Sequence, residues 1–266
     1  MIKIKDVADA NSAEIYINGE IIDNNDAEML KFCYNDDDMP EYSWPADLRR
    51  QLDALAGKDI TVYINSPGGS VFAGAAMADF LARHDGMTTA VVEGWCCSIA
   101  TEIFFACQER KIPANAYLMI HKPSMVASGT ADELLKAAET LDTIQDGIEA
   151  LYRKAALDDV TEDQIHDMVN SETWLTGTDA ANYFNVEVLD AEKMAACAND
   201  ANVKFVNMPK DIKFKALKPE EPEEPEEEKV NDSAGSEREK AEKDKKIKAY
   251  IRATLAVAEA EEAKLK

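Results

Sequence analysis

Histidine and positive charge are both scarce in this sequence of 266 residues. It holds three histidines, His84, His121 and His166, and 29 Lys and Arg against 52 Asp and Glu. The formal charge of −23 repels phosphate backbones and anionic lipid, so neither nucleic acid nor a membrane surface is expected as a partner. No apolar run approaches the ~18 residues that mark a membrane span. The start, Met1-Ile2-Lys3-Ile4-Lys5-Asp6, lacks the long apolar stretch of a signal peptide, and a cytoplasmic setting is expected. The five cysteines include no Cys-x-x-Cys pair, which argues against a disulfide framework or a zinc ribbon. No spaced His/Cys/Asp cluster calls for a metal, and no Gly-Lys-Ser/Thr makes a phosphate loop, so no cofactor is expected. No internal repeat is evident. With 46% apolar residues, a full core is available.

The composition breaks near Lys218. Residues 219–229 read PEEPEEPEEEK, and 231–236 read NDSAGS. Prolines remove helix donors and like charges repel, so this stretch reads as an extended linker. The acidity is not confined there: residues 1–218 carry 37 acids against 19 bases. After the linker, Ile247, Tyr250, Ile251, Thr254, Leu255 and Ala258 fall on one helical face. Glu239/Lys243 and Glu242/Lys246 are favourably ordered i,i+4 pairs. Such a helix cannot fold alone, so it docks, self-associates or stays solvated. The chain thus divides into a body over 1–200, an extension over 201–218, an acidic disordered linker over 219–236 and a charged amphipathic helix over 237–266.

Within the body, strands and helices alternate. Residues 14–22 (EIYINGEII), 60–65 (ITVYIN), 88–93 (TTAVVE) and 116–121 (AYLMIH) read as strands. Residues 71–84 read as a helix. Residues 99–107 (IATEIFFAC) are apolar nearly all round, which marks a buried helix. This order predicts an α/β layered fold. Three capping boxes follow: Thr130 with Glu133, Thr161 with Gln164, and Thr176 with Asp179. The first opens a long helix in which Leu134, Leu141, Ile148 and Ala155 recur every seven residues, with Ala137, Ile144 and Leu151 beside them. The seam is longer than an internal core edge usually needs. The second opens a short helix through Val169, and the third a helix ending near Phe184. Residues 34–44 (YNDDDMPEYSW) read as an acidic loop.

Two loops could carry chemistry. Asn65-Ser66-Pro67-Gly68-Gly69-Ser70 links a strand to a helix, and its glycines allow backbone N–H groups to face an anion, or simply make a tight turn. Gly94-Trp95-Cys96-Cys97-Ser98 places Ser98 at a helix N-terminus, as a cap or as a nucleophile. A nucleophilic serine needs a base. His84 and His166 read as surface residues, whereas His121 ends an apolar strand before Lys122-Pro123, at a strand mouth where sites are commonly built. A Ser–His–acid order differs from the common serine-hydrolase orders, and there is no Gly-x-Ser-x-Gly elbow. Cys96 and Cys97 read as small buried side chains, and Glu102 as a buried structural carboxylate.

The run YINSPGGSVFAGAAMADFL, then GWCCSIATEIFFA, then YLMIHKPS, the long helix, and SETWLTGTDA together resemble the ClpP peptidase family of the crotonase-like fold. The resemblance covers about residues 12–192 and is strongest to the ClpP-like proteases of phage head maturation. It implies an α/β spiral of repeated ββα units with a long protruding helix. It also implies Ser98 as nucleophile, His121 as general base, and an oxyanion hole from the N–H groups of Gly69 and Ile99. Substrate would pair as an added strand with Gly68, Gly69, Ser70 and Val71 on one side and Ser124 and Met125 on the other. The family's aspartate position holds Glu172 here, one methylene longer, and Asp167 is the alternative acid.

The resemblance thus implies a serine endopeptidase acting through an acyl-enzyme on scaffold or capsid proteins, in the host cytoplasm or the assembling head. It implies a ring-like homo-oligomer, with heptameric rings as one form. An ATPase-fed proteolytic subunit, an inert assembly protein and a crotonase-type acyl-CoA enzyme stand as alternatives.

Overall fold

Alternation of side chains and the ends of short loops set the architecture. A computed structural model describes residues 2–6, 11–34, 41–191 and 207–208. In chain order the elements are β1 (Lys3–Asp6), β2 (Ser12–Asn18), β3 (Glu20–Ile21), α1 (Asn24–Cys33), β4 (Tyr42–Ser43), α2 (Pro45–Ala54), β5 (Asp59–Ser66) and α3 (Val71–Ala82). Then come β6 (Thr88–Cys97), α4 (Ala100–Ala106), β7 (Glu109–Pro113), β8 (Tyr117–Ile120), α5 (Ala131–Ala155), α6 (Glu162–Asn170), β9 (Thr173–Thr176), α7 (Gly177–Ala180) and β10 (Glu187–Leu189).

The main sheet runs β1-β2-β5-β6-β7-β10, with β8 and β9 branching from β6. β2, β5 and β6 are parallel neighbours, and their inward residues Ile15, Ile17, Val62, Ile64, Ala90 and Val92 are buried. β6 pairs with β7 through Thr89, Ala90 and Val91, then with β8 through Trp95, Cys96 and Cys97. Gly94, at φ 94°, sits between the two pairings, where the strand must change partner. α4 is buried from Ala100 to Phe105, as its apolar surface requires. α2 starts at Pro45, whose fixed φ suits a first helical turn, and buried Asp47 accepts a hydrogen bond from Ile2 N–H at 2.9 Å.

The α/β expectation holds, with corrections. Residues 14–22 are not one strand, because Gly19 at φ 71° breaks it into β2 and β3. The strand over 88–93 runs on to Cys97. The helix opened by Thr176 stops at Ala180, short of Phe184. Within 34–44, residues 42–43 form β4 and residues 35–40 lie outside the described ones. The sequence reading passed over β1, α1, α2, β7, β9 and β10.

The chain falls into two compact units, one of residues 1–27 and 40–217, the other of 28–39 and 218–266. Of the second unit the structure describes 28–34, the last turns of α1, where Lys31 pairs with Glu28 at 3.0 Å. The linker over 219–236 and the helix over 237–266 lie outside the described residues.

Candidate active site

Three neighbouring strands end together, and each end delivers one polar side chain. β6 and β8 are parallel, with Cys97 opposite Met119, so Ser98 follows the end of one and His121 the end of the other. Ser98 N–H donates to Met119 O at 2.8 Å, which ties the two ends. β8 and β9 are antiparallel, with Ile120 opposite Thr173. The next register step sets His121 opposite Glu172.

Ser98 Oγ and His121 Nε2 are hydrogen-bonded at 2.8 Å. Ser98 holds a left-handed φ of 53°, uncommon for a residue with a Cβ, and α4 begins two residues later at Ala100. Its carbonyl is held in turn: Thr101 Oγ1 donates to Ser98 O at 2.6 Å and lies 2.7 Å from the buried Tyr152 hydroxyl on α5. This brace was not read from the sequence.

The glycine loop after β5 lies against Ser98. A Cβ on Gly68 would come within 2.7 Å of Ser98 Cβ, so no side chain fits there. Ser66 Oγ accepts from Gly68 N–H at 3.1 Å and fixes the turn. Gly69, at φ 146°, forms a parallel bridge with Ile21, in which Ile21 N–H donates to Gly68 O and Ser70 N–H donates to Ile21 O, each at 2.8 Å. Gly69 N–H therefore points away from Ile21. Of the expected substrate-pairing stretch, Gly68 O and Ser70 N–H are already engaged by Ile21, which narrows the outward edge to Gly69. Val71 opens α3, and Ser124 and Met125 are exposed in the irregular segment between His121 and Thr130.

Electrostatics join the third strand end to the first two. Burial lowers the His121 pKa, and the Glu172 charge acts in the opposite direction. Glu172, half-buried, also has a left-handed φ, of 49°. Its Oε1 accepts from Trp174 Nε1 at 3.3 Å and from Asn207 N–H at 2.6 Å. Asp167 is exposed on α6, five residues earlier and off the register that faces His121. Cys96 and Cys97 are fully buried and their thiols are pushed well up by desolvation, so they are poor nucleophiles beside Ser98.

The other histidines lie elsewhere. His84 hydrogen-bonds Lys58 O at 2.7 Å. His166 Nδ1 donates to buried Glu149 at 3.0 Å, so it is a tethered residue more than a purely solvated one. Among the described residues no group of three or more His, Cys, Asp or Glu is arranged to hold a metal ion, and no helix is long and apolar enough to cross a membrane.

Residues 46–188, more than half of the chain, match the family model described as Clp protease. The chain belongs to the Clp protease family. It is 31% identical over 136 residues to the ATP-dependent Clp protease proteolytic subunit of Bacteroides thetaiotaomicron, covering 50% of this chain and 60% of the relative. It is 30% identical over 128 residues to subunit 3 of the corresponding protease of Rhodococcus jostii, covering 47% and 62%. The chain thus spans less than two thirds of the length of these Clp relatives. A solved structure of a ClpP1 mutant from Listeria monocytogenes superposes with a TM-score of 0.52 at 24% identity, over 66% of this chain and 91% of that one, and shares the Clp fold.

Proposed function

We propose that this Clp family member is a serine endopeptidase with Ser98 as nucleophile, His121 as base and Glu172 as the orienting acid. The observation that carries the reading is the 2.8 Å hydrogen bond between Ser98 Oγ and His121 Nε2, with Ser98 in a strained backbone conformation. Ser98 Oγ attacks a peptide carbonyl while His121 Nε2 takes its proton. The N–H groups of Gly69 and Ile99 receive the oxyanion, the geometry that usually contributes most to acyl transfer. His121 then protonates the leaving amine, and water releases the acyl group from Ser98 by the reverse exchange. Lowering of the His121 pKa by burial supports a base that is neutral near pH 7. Glu172 would stabilise the imidazolium as it forms.

The finer reading is head maturation in a tailed phage, with scaffold or capsid proteins as substrates. The sequence resemblance supports it, and the 237–266 helix on its acidic tether would recruit such a partner. The relatives' names, ATP-dependent proteolytic subunits, support the alternative of an ATPase-fed peptidase. Ring-like self-assembly belongs to either reading. A fluorophosphonate probe tests the chemistry: wild type should label at Ser98, and Ser98→Ala should neither label nor cleave a fluorogenic peptide. An unlabelled wild type would refute the reading.

A further inference from the structure

We infer that Asn207, from the extension beyond the family-matched region, is a positioning residue that clamps Glu172 for its work on His121. The inference rests on the serine-peptidase reading above. Glu172 is in an awkward place for a carboxylate. It follows the C-terminus of α6, the negative end of the helix dipole, and its φ of 49° is a conformation that side chains resist. Asn207 answers both problems. Its Nδ2 donates to Ser171 O at 2.7 Å, taking up one terminal carbonyl beside Glu172. Its backbone N–H donates to Glu172 Oε1 at 2.6 Å, a charge-assisted bond. Trp174 Nε1 reaches the same oxygen at 3.3 Å, so the carboxylate is gripped at Oε1 from two sides. With Oε1 so held, the rotation of the carboxylate against the imidazole is fixed by its surroundings, as strained site residues require. Residues 189 to 207 lie beyond the match at 46–188, so this chain completes its acid with a segment the family match does not include.

Asn207 is exposed, so its replacement disturbs no core packing. Asn207→Pro removes the N–H donor, Asn207→Ala keeps that donor and removes only the bond to Ser171, and Glu172→Gln gives the reference for a lost acid. The experiment measures kcat, KM and the pH profile of kcat/KM on a fluorogenic peptide with full-length protein, with fluorophosphonate titration counting active Ser98. Among the described residues, the charge acting on His121 is that of Glu172, and the neighbouring Cys97 thiol stays neutral. A loosened Glu172 supports the imidazolium less, so the acid limb moves to lower pH. The expected result is an Asn207→Pro kcat about 10- to 100-fold lower with KM nearly unchanged. Its acid limb should shift in the direction seen with Glu172→Gln, and Asn207→Ala should show a smaller loss. Wild-type kcat and an unmoved limb in Asn207→Pro overturn the inference. So does a loss matched by fewer titratable serines with the limb in place, which is a folding defect. A wild type that does not label overturns the serine reading and this inference together, whereas a labelled wild type with an indifferent Glu172→Gln overturns the clamp and Glu172 as the acid, and leaves Ser98 and His121 standing.

Discussion

The strand-end cluster and the first half of α5 are built on opposite terms. At the cluster, β5, β6, β8 and β9 end side by side, and Ser98, His121 and Glu172 each have a hydrogen-bonded neighbour that fixes them. Along α5, residues from 131 to 140 are exposed but for half-buried Ala137, and Leu134 and Leu135 are 44% and 64% exposed. Only the second half of that helix joins the core, through Ile148, Tyr152 and Ala155. The seven-residue seam is therefore divided. Its later half is an ordinary core edge, and its earlier half leaves apolar residues uncovered, as a seam longer than one subunit's core edge would. A period in the sequence reports that a face is apolar, not what covers it. The cluster should thus govern chemistry without assembly, and the projecting turns assembly without chemistry.

The sharpest test of that separation is Ser98→Ala. Loss of the nucleophile from a triad that acts as a unit typically costs roughly 10⁶ in kcat. Light scattering should give the same particle mass as wild type. A variant that cleaves near the wild-type rate would remove Ser98 from the chemistry, and one that falls apart would break the separation itself.

Next in size is the acid. Glu172→Gln should lower kcat by about 10⁴, the loss seen when an amide favours the wrong imidazole tautomer. Asp167→Asn should be silent, because Asp167 lies off the β8–β9 register. The acid limb of kcat/KM should lie below the ordinary histidine value of about 6.5, because burial lowers the His121 pKa. Glu172→Gln removes the opposing charge, so its limb should lie lower still. The reverse ranking of the two variants would move the acid to Asp167.

The two halves of α5 can be set against each other directly. Ile148→Glu places a charge among core residues, where an unpaired charge costs at least about 3 kcal/mol, so the chain should melt well below wild type. Leu135→Glu sits in solvent and should leave the melting of the isolated chain within about 0.5 kcal/mol of wild type. If the projecting turns join copies, Leu135→Glu should still yield smaller particles with each active site intact. Equal melting losses in the two variants would mean that the projecting half is covered within the subunit.

Much of the cluster was legible because its residues lie at ends of strands that the sequence marks. Apolar runs stop at Ser98 and at His121, and Glu172 stands two positions before Trp174. What could not be read has physical reasons. β7, ERKIP, looks polar because it is held by backbone pairing to β6 and β10, with Lys111 bonded to Glu187 at 3.1 Å. α2 carries start signals at Pro45 and Asp47, but its burial depends on partners distant in sequence, Ile2 among them. The bond from Asn207 to Glu172 spans 35 residues and leaves no periodic trace. The Tyr152–Thr101–Ser98 brace joins residues on two helices that only packing brings together.

The smallest expected effect concerns Glu102, one turn into α4 from Ser98, and it asks whether the cluster's supporting helix carries stress unrelated to chemistry. Its side chain is 8% exposed and faces the α5 side of the core, where its charge helps raise the Tyr152 pKa. Among the described residues no side chain pairs with its carboxylate. Desolvation raises its pKa from 4.5 to about 7. With the folded value above the unfolded one, the native state resists losing this proton. The stability is present in full below about pH 4.5, falls as pH rises towards 7, and is level above that. Glu102→Gln keeps the shape and removes the charge. Its melting temperature should match wild type closely at pH 4.5 and exceed it at pH 8 by roughly 5 °C, on the order of 2 kcal/mol. Thermal melts across that range decide the matter. Two curves that stay parallel would show that the carboxylate is paired in the assembled protein, and the buried charge would then belong to an interface instead of to stress within α4.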